Sequence, residues 1–257
     1  MTKLAKRMTA LLPLVAIGVA LLFWEGVARW SEIPLFILPP PSAIGERLTR
    51  SIADGSLQRH TLVTLSEVLA GLALGAVSAS LLGYGLAKSS TLEHALSPYI
   101  VASQSIPIVA IAPLLVIWFG PGRISKVLIS ALIVFFPVLI NTIVGVRTVP
   151  TELYDVMRSL RATKAQIFRK LEVPAATPVL LGGLKIGATL SVIGAVVGEF
   201  VGSDQGLGFL INVGNGLYDT PLVFVAVITL VAMALVLYGL VAMLERKVLA
   251  WRTVEVR

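Results

Sequence analysis

The sequence predicts an all-α membrane protein with six transmembrane helices and a cytoplasmic amphipathic segment. The first observation is composition: 56% of the 257 residues are hydrophobic and 14% are charged, and the mean hydropathy is +0.91. A soluble globular domain has about 25% charged residues. The second observation is a series of apolar runs of about 20 residues, the length that crosses a hydrocarbon core of about 30 Å. The third is one basic, amphipathic stretch between two of these runs.

The apolar runs divide the chain into an N-terminal part, residues 1–60, and a transmembrane domain, residues 61–247. The first part holds one span and an outer connection, in which a short amphipathic helix is expected around Ser42 to Ala53. The second includes the cytoplasmic segment, residues 151–174. The predicted spans are residues 11–30, 61–87, 96–119, 124–146, 178–201 and 221–244.

Prolines and glycines predict a break in one of these spans and close packing of two others. Proline removes a backbone donor and tends to break a helix, so the third span is expected to be interrupted. The prolines in that span are Pro98, Pro107 and Pro113. Pairs of glycines four residues apart allow helices to approach closely. These pairs are Gly71 and Gly75, Gly183 and Gly187, and Gly194 and Gly198.

The distribution of positive charge predicts the orientation. Most of the 21 Lys and Arg residues fall at the two termini and in the stretch from Arg147 to Lys170. Because Lys and Arg collect in cytoplasmic loops, both termini and this stretch are expected in the cytoplasm. The net charge of +7 therefore reflects topology, and no nucleic-acid partner is expected.

The amphipathic stretch is predicted to form two short helices that meet at a corner. Four apolar residues recur at the helical spacing i, i+3, i+4 and i+7; they are Leu153, Val156, Met157 and Leu160. Thr163 followed by Gln166 indicates a capping box that starts a second helix, and Pro174 is expected to end it. Such a basic and apolar element suits either a groove on a partner protein or an anionic lipid surface.

Enzyme signatures are missing from the sequence. It contains no G-x-x-x-x-G-K-[ST], H-E-x-x-H or G-x-S-x-G motif, no cysteine and only two histidines, so no catalytic residue, metal site or cofactor is expected. The energy for any transport would then come from an ion gradient or from a separate ATPase.

Candidate pathway residues are few. Glu25, Glu67 and Glu199 lie near span ends, where an acidic side chain is either interfacial or part of an ion or substrate route. Glu199 is retained as a pathway candidate because a glycine-rich sequence surrounds it. Small polar residues on proline-broken spans either line a cavity or join helices. These further candidates are Ser103, Gln104 and Asn141.

The segment from Asp155 to Pro174 resembles the cytoplasmic signature of importer-type ABC transporter permeases: EAA, three residues, Gly, nine residues, Ile, any residue, Leu-Pro. Here it has Asp155-Val156-Met157, Arg161 at the glycine position, and Leu171, Val173 and Pro174. The spacing is intact, but an arginine at the glycine position argues against a left-handed backbone there. The stretches LPPPSAIGERL, SQSIPIVAIAPLLVIWFG, VFFPVLINTIVGVRTVP and GAVVGEFVGSDQGLGFLI resemble permeases for sulfonates, taurine, nitrate, riboflavin and thiamine precursors.

This resemblance implies the importer-type ABC permease fold in the bacterial plasma (inner) membrane. It implies cytoplasmic ATP-binding-cassette ATPase subunits, an extracytoplasmic substrate-binding protein and a second permease copy as partners, within membrane lipid. The ATPase activity would lie on the separate subunit, so this chain would not be an enzyme. The residues implied to contact that subunit are Asp155, Val156, Met157, Arg158, Ser159, Leu160, Arg161, Ala162 and Thr163.

The resemblance favours a vitamin or heteroaromatic precursor, riboflavin or a thiamine pyrimidine, as the cargo. A sulfonate, taurine or nitrate is the alternative. A gradient-driven secondary carrier, and a membrane-embedded enzyme or assembly scaffold, stay open as other classes. The connection at residues 202–220 is expected outside, either as part of the docking surface for a substrate-binding protein or as a plain gated loop.

Overall fold

The computed structural model describes residues 3–30 and 34–250, and every regular element in those ranges is a helix. The first six are α1 Lys3–Trp30, α2 Pro41–Ala53, α3 Ser56–Lys88, α4 Ser90–Gln104, α5 Ile108–Phe119 and α6 Arg123–Arg147. The next five are α7 Thr151–Ser159, α8 Lys164–Ile167, α9 Val173–Gly202, α10 Leu207–Gly216 and α11 Thr220–Val248. A π-helical segment, Phe168–Glu172, joins α8 to α9.

Helices α3, α6 and α9 form the most closely packed part of the bundle. A Cβ atom added to Gly194 would lie 2.5 Å from the Cα atom of Ser130, and one added to Gly75 would lie 2.6 Å from the Ala131 carbonyl oxygen. Only glycine lets these backbones approach so closely. The role predicted for the spaced glycines is confirmed.

Four helices in the described ranges are long and apolar enough to cross a membrane: α3, α6, α11, and the continuous helical path from Lys164 to Gly202. The α4–α5 pair would be a fifth span if it crosses as one unit. The predicted first span falls on α1, and the short amphipathic helix predicted around Ser42 to Ala53 is observed as α2. The all-α membrane fold is confirmed, and the count of six spans stays a prediction.

The predicted third span is not one straight helix. Helices α4 and α5 meet at 93°, and the break falls at Ser105, Ile106 and Pro107. A residue that precedes proline is pushed out of the helical region, which explains why the chain turns at Ile106. Pro98 and Pro113 stay inside helices.

The prediction that Pro174 ends a short helix is wrong. Pro174 lies in the first turn of α9, and helical backbone runs without a gap from Lys164 to Gly202. Proline is tolerated in a first turn. Just before it, the Val173 N–H donates to the Phe168 carbonyl in a π turn, and such turns accommodate irregularities in the helical bonding pattern.

The predicted outer loop at residues 202–220 is also wrong in part, because it contains the ten-residue helix α10. Leu207 and Leu210 are buried in a core that α9 and α11 share. The sequence of this connection is rich in glycine and too short to show a clear helical period. Its burial depends on contacts with distant helices, which the local sequence does not reveal.

Candidate functional site

Helix α7 presents its apolar side chains to the outside of the bundle. Leu153, Val156 and Leu160 are 44%, 54% and 72% exposed, whereas Met157 and Tyr154 are half-buried. Within the described chain, α7 has no extensive packing contact with another helix. An amphipathic helix with an uncovered apolar face is a form that docks into a groove on a partner.

The end of α7 is a Schellman turn with Arg161 in the left-handed conformation, at φ 54°. The Ala162 N–H donates to the Met157 carbonyl over 2.9 Å, and the Arg161 N–H donates to the Arg158 carbonyl over 2.9 Å. These are the two bonds of the motif, which glycine usually closes. The expectation that arginine would disfavour a left-handed backbone here is therefore wrong.

The capping box that starts α8 is confirmed. The Gln166 N–H donates to Thr163 Oγ1 over 3.3 Å, and the Thr163 N–H donates to Gln166 Oε1 over 2.8 Å. Two capped ends thus enclose the corner between α7 and α8. Residues Asp155 to Thr163 form a defined surface element, with an exposed ion pair of Asp155 and Arg158 at 3.1 Å.

Tyr154 on α7 points towards the bundle and meets Glu172 of the π segment. The Lys88 ammonium, which is bound to Glu172, lies 5.2 Å from the centre of the Tyr154 ring. Burial, followed by the negative charge of Glu172, raises the pKa of Tyr154 to about 12. The Tyr154 hydroxyl therefore stays neutral beside the Glu172 carboxylate.

The structure places the four pathway candidates in separate surroundings. Ser103 lies on a cavity between α4 and α6, and Gln104 is exposed at the α4–α5 bend. Asn141 lies at the α6–α9 contact, where its Nδ2 donates to the Pro137 carbonyl over 2.8 Å and its side chain faces Gly183. Glu199 is near the far end of α9. Their pathway roles stay predictions.

Glu199 is buried within the helix bundle. Only 1% of it is exposed. Its carboxylate accepts hydrogen bonds from Thr64 Oγ1 at 2.6 Å and from the Gly208 N–H at 2.5 Å, while the Leu207 N–H donates to Thr64 Oγ1 over 2.8 Å. The Gly206 N–H donates to His60 Nδ1 over 2.9 Å. These bonds fasten the N-terminus of α10 to α3 and α9.

Glu67 is buried in the same region, also at 1% exposure. It faces Glu199 and the ammonium group of Lys126. The Lys126 Nζ donates to the Pro121 carbonyl over 2.5 Å. Lys126 supplies the positive charge that two buried carboxylates need nearby. The group joins α3, α6 and α9 at one end of the bundle.

A cavity of about 240 Å³ lies at the opposite end, next to the π segment. Helices α3, α6 and α9 supply its walls. Its lining includes Ser80, Leu81, Tyr84, Thr142, Phe168 and Glu172. Because Glu172 also contacts Tyr154, the cavity wall is connected to the amphipathic segment.

Sequence reasoning missed Glu172 and the two α3 residues that bind it. The Tyr84 hydroxyl donates to Glu172 over 2.8 Å, and the Lys88 Nζ donates over 2.5 Å. A signal was present in the sequence, since Glu172 is an acid in a basic stretch and Tyr84 and Lys88 stand at i and i+4. Their meeting required the tertiary structure.

Residues 71–250 match the family described as the binding-protein-dependent transport system inner membrane component. The chain belongs to this family. It is the permease subunit of an ABC importer, and a multi-pass protein of the inner membrane. The family relation agrees with the buried glycine-packed bundle and with an exposed α7.

This permease is similar to several curated proteins over nearly its whole length. It is 47% identical over 237 residues to the riboflavin transport system permease protein RibX of Chloroflexus aurantiacus, covering 92% of this chain and 88% of that protein. It is 35% identical over 243 residues to the formylaminopyrimidine transport permease protein ThiX of Halalkalibacterium halodurans, covering 95% and 96%.

Among solved structures, the permease resembles a chain of the MetNI methionine ABC transporter in an inward-facing conformation. The TM-score is 0.66 at 20% identity, with 76% of this chain and 97% of that chain covered. At this level of identity the likeness concerns the fold. The fold is therefore that of an importer-type ABC permease.

Proposed function

We propose that this permease imports a vitamin or heteroaromatic precursor, riboflavin or a thiamine pyrimidine precursor, and that Asp155 to Thr163 couples it to a cytoplasmic ATPase subunit. The coupling proposal depends on one observation, the uncovered apolar face of α7. The capped corner between α7 and α8 follows directly after this face. A capped corner holds its shape, so a partner that binds it can move it as a rigid body.

The ATPase is proposed as the occupant of this face instead of a lipid surface. An apolar face supports either occupant. The spacing from Asp155 to Pro174, which resembles the signature of importer permeases, and the family relation favour a protein groove. The distribution of Lys and Arg supports a cytoplasmic location for this corner and for both termini.

The proposed assembly contains two copies of the permease, ATPase subunits on the cytoplasmic side and a substrate-binding protein outside. ATP-driven closure of the ATPase subunits would rock the two permease copies between inward-open and outward-open states. Ser103, Gln104, Asn141 and Glu199 are the proposed pathway residues. Glu199 is bound to Thr64 and Gly208. It would contribute to the pathway by holding α10 in position.

The cargo proposal depends on the relatives. The riboflavin permease RibX shares 47% identity with the chain and the formylaminopyrimidine permease ThiX shares 35%. The second candidate cargo is a sulfonate or taurine, because the chain is 32% identical to the SsuC permease of Bacillus subtilis and 31% identical to the TauC permease of Escherichia coli. Nitrate is a further member of that alternative. We favour the riboflavin and pyrimidine class because the identity is higher.

The coupling proposal is tested by placing a charge on the apolar face. Leu160→Glu puts a carboxylate on a side chain that is 72% exposed, so the permease fold should be kept while docking is lost. Thr151→Glu adds the same charge in the exposed first turn of α7 and is the matched control. We expect the ATPase subunit to co-purify with the wild type and with Thr151→Glu, and to be lost from Leu160→Glu.

Retention of the ATPase by Leu160→Glu, together with normal uptake, would remove the coupling role. Uptake that needs no ATPase subunit and is abolished by an uncoupler would instead indicate a gradient-driven secondary carrier. The cargo is tested separately, by binding of riboflavin, formylaminopyrimidine, taurine and nitrate to the partner substrate-binding protein. Binding of taurine or nitrate in preference to riboflavin and pyrimidine would overturn the cargo proposal.

A further inference from the structure

Glu172 lies where three elements meet, yet nothing in the coupling motif requires an acid at its position. It belongs to the π segment, and only 2% of it is exposed. From α3, the Tyr84 hydroxyl donates to its Oε2 over 2.8 Å and the Lys88 Nζ donates to its Oε1 over 2.5 Å. From α7, Tyr154 lies beside the carboxylate, close enough for the two groups to interact electrostatically.

Aromatic rings lie next to this group, and the Lys88 side chain is 42% exposed on its other side. The Lys88 ammonium is 5.2 Å from the centre of the Tyr154 ring and 6.0 Å from that of Tyr84. The Tyr84 ring meets Phe168 edge-to-face at 5.2 Å. A cation near two aromatic rings and hydrogen-bonded to a buried carboxylate is held more firmly than an exposed ion pair.

The position of this group matters because α7 has few other attachments. Its apolar side chains face outwards, and no other helix of the described chain packs on it extensively. Besides the chain connections at its two ends, α7 meets the spans where Tyr154 lies next to Lys88 and Glu172. A force applied to α7 therefore has a route to α3 through this group, in addition to the route along the chain.

We propose that Glu172, held by Tyr84, Lys88 and Tyr154, is the joint that transmits displacement of α7 to α3 and α9. Glu172 is a positioning residue for coupling, and Tyr154 is its contact on the moving helix. This inference rests on the proposed function, in which α7 docks on the ATPase. The joint forms one wall of the cavity between α3, α6 and α9, so its displacement changes the shape of that cavity.

The test uses a thiol placed in the cavity wall. The chain contains no cysteine, so Leu81→Cys gives the permease one labelling site, at a position that is 71% exposed and lines the cavity. In the assembled complex, the labelling rate with a maleimide is measured without nucleotide and after trapping with ATP and vanadate. The ratio of the two rates reports how far the ATPase cycle moves α3.

In this background, Tyr154→Phe removes one hydroxyl and Glu172→Gln removes the charge while keeping the shape. Tyr238→Phe, on the exposed surface of α11, is the control. We expect both joint variants to keep the ATPase subunit and its hydrolysis rate. Their nucleotide-dependent change in labelling should fall about tenfold, which corresponds to the loss of about 1.4 kcal/mol of interaction between Tyr154 and the Glu172 group.

A full nucleotide response in Tyr154→Phe, with the ATPase still bound, would overturn the joint and leave the proposed function intact. If Glu172→Gln does not fold, Tyr154→Phe decides the question alone, because its phenol is only half-buried. Failure of the wild-type permease to bind any ATPase would overturn the proposed function itself. A parallel loss of response and of ATPase binding in Tyr154→Phe would assign Tyr154 to docking and also remove the joint.

Discussion

Substitutions of Arg161 test the geometry of the corner between α7 and α8. The test compares two variants that differ by a single Cβ atom. Its φ of 54° is left-handed, a conformation that costs a residue with a side chain about 1–2 kcal/mol. Glycine avoids this cost but loses about 0.4–1 kcal/mol through greater freedom in the open chain. Arg161→Gly and Arg161→Ala both remove the guanidinium, so their difference isolates the Cβ. We expect the glycine variant to hold the corner more tightly by about 1 kcal/mol.

Hydrogen exchange at the Ala162 amide measures this difference. That N–H donates to the Met157 carbonyl over 2.9 Å, so it exchanges only when the Schellman turn opens. A change of about 1 kcal/mol corresponds to about fivefold slower exchange in Arg161→Gly than in Arg161→Ala. The measurement uses the whole permease in lipid nanodiscs, with mass-spectrometric detection. The Ile167 amide, which donates to the Thr163 carbonyl over 3.0 Å, serves as an internal reference.

Equal exchange at Ala162 in the two variants would refute the reasoning, because the Cβ would then carry no conformational cost. Faster exchange in the glycine variant would do so more strongly. If Ile167 changed as much as Ala162, the effect would be a general loosening of the segment and not a property of the left-handed corner.

Three further predictions follow from contacts elsewhere in the chain. Gly194→Ala should destabilise the bundle by about 1–3 kcal/mol through overpacking and lower the melting temperature of the purified permease, whereas Gly182→Ala, where a Cβ meets nothing within 4 Å, should not. Thr64→Val removes the hydrogen bonds that one hydroxyl makes with His60, Glu199 and Leu207 and should cost about 1–3 kcal/mol; an unchanged melting temperature would contradict the buried network. Because the pKa of Tyr154 is raised to about 12 from its usual 10.0, its contribution to stability is full below pH 10 and is lost as pH rises through the folded value. The ultraviolet difference titration between wild type and Tyr154→Phe should show that transition, and a titration near pH 10 would contradict the burial of Tyr154 beside Glu172.

Local patterns predicted the outer surface of the candidate site well. The period of Leu153, Val156 and Leu160 gave α7, and the pair Thr163 and Gln166 gave the capping box. Both depend on residues within one or two helical turns, so their spacing in the sequence predicts which of them lie together. The glycine pairs also predicted packing correctly. A glycine lets another helix approach closely, whichever part of the chain supplies that helix.

The predictions failed where the outcome depended on distant residues. The burial of Glu199 and its hydrogen bonds with Thr64 and Gly208 were not predicted, because these partners lie on other helices. Pro174 has the form of a helix terminator, yet the π turn before it keeps the helix continuous. Helix α10 was missed because its apolar residues show no clear helical period. They are buried by contacts with α9 and α11.

The π segment also sets the rotational phase between the α7–α8 corner and the span that follows it. An α-helix advances by about 100° per residue, and a π bulge takes up one residue more than the α-helical pattern allows. Deleting one residue from Phe168–Glu172 would therefore turn α7 to face a different side of α9, whereas a substitution there would leave the phase unchanged. This agrees with a segment that keeps the spacing of the importer signature while its letters vary: the number of residues between the corner and Pro174 sets the direction in which α7 faces, and individual side chains such as Glu172 set its contacts.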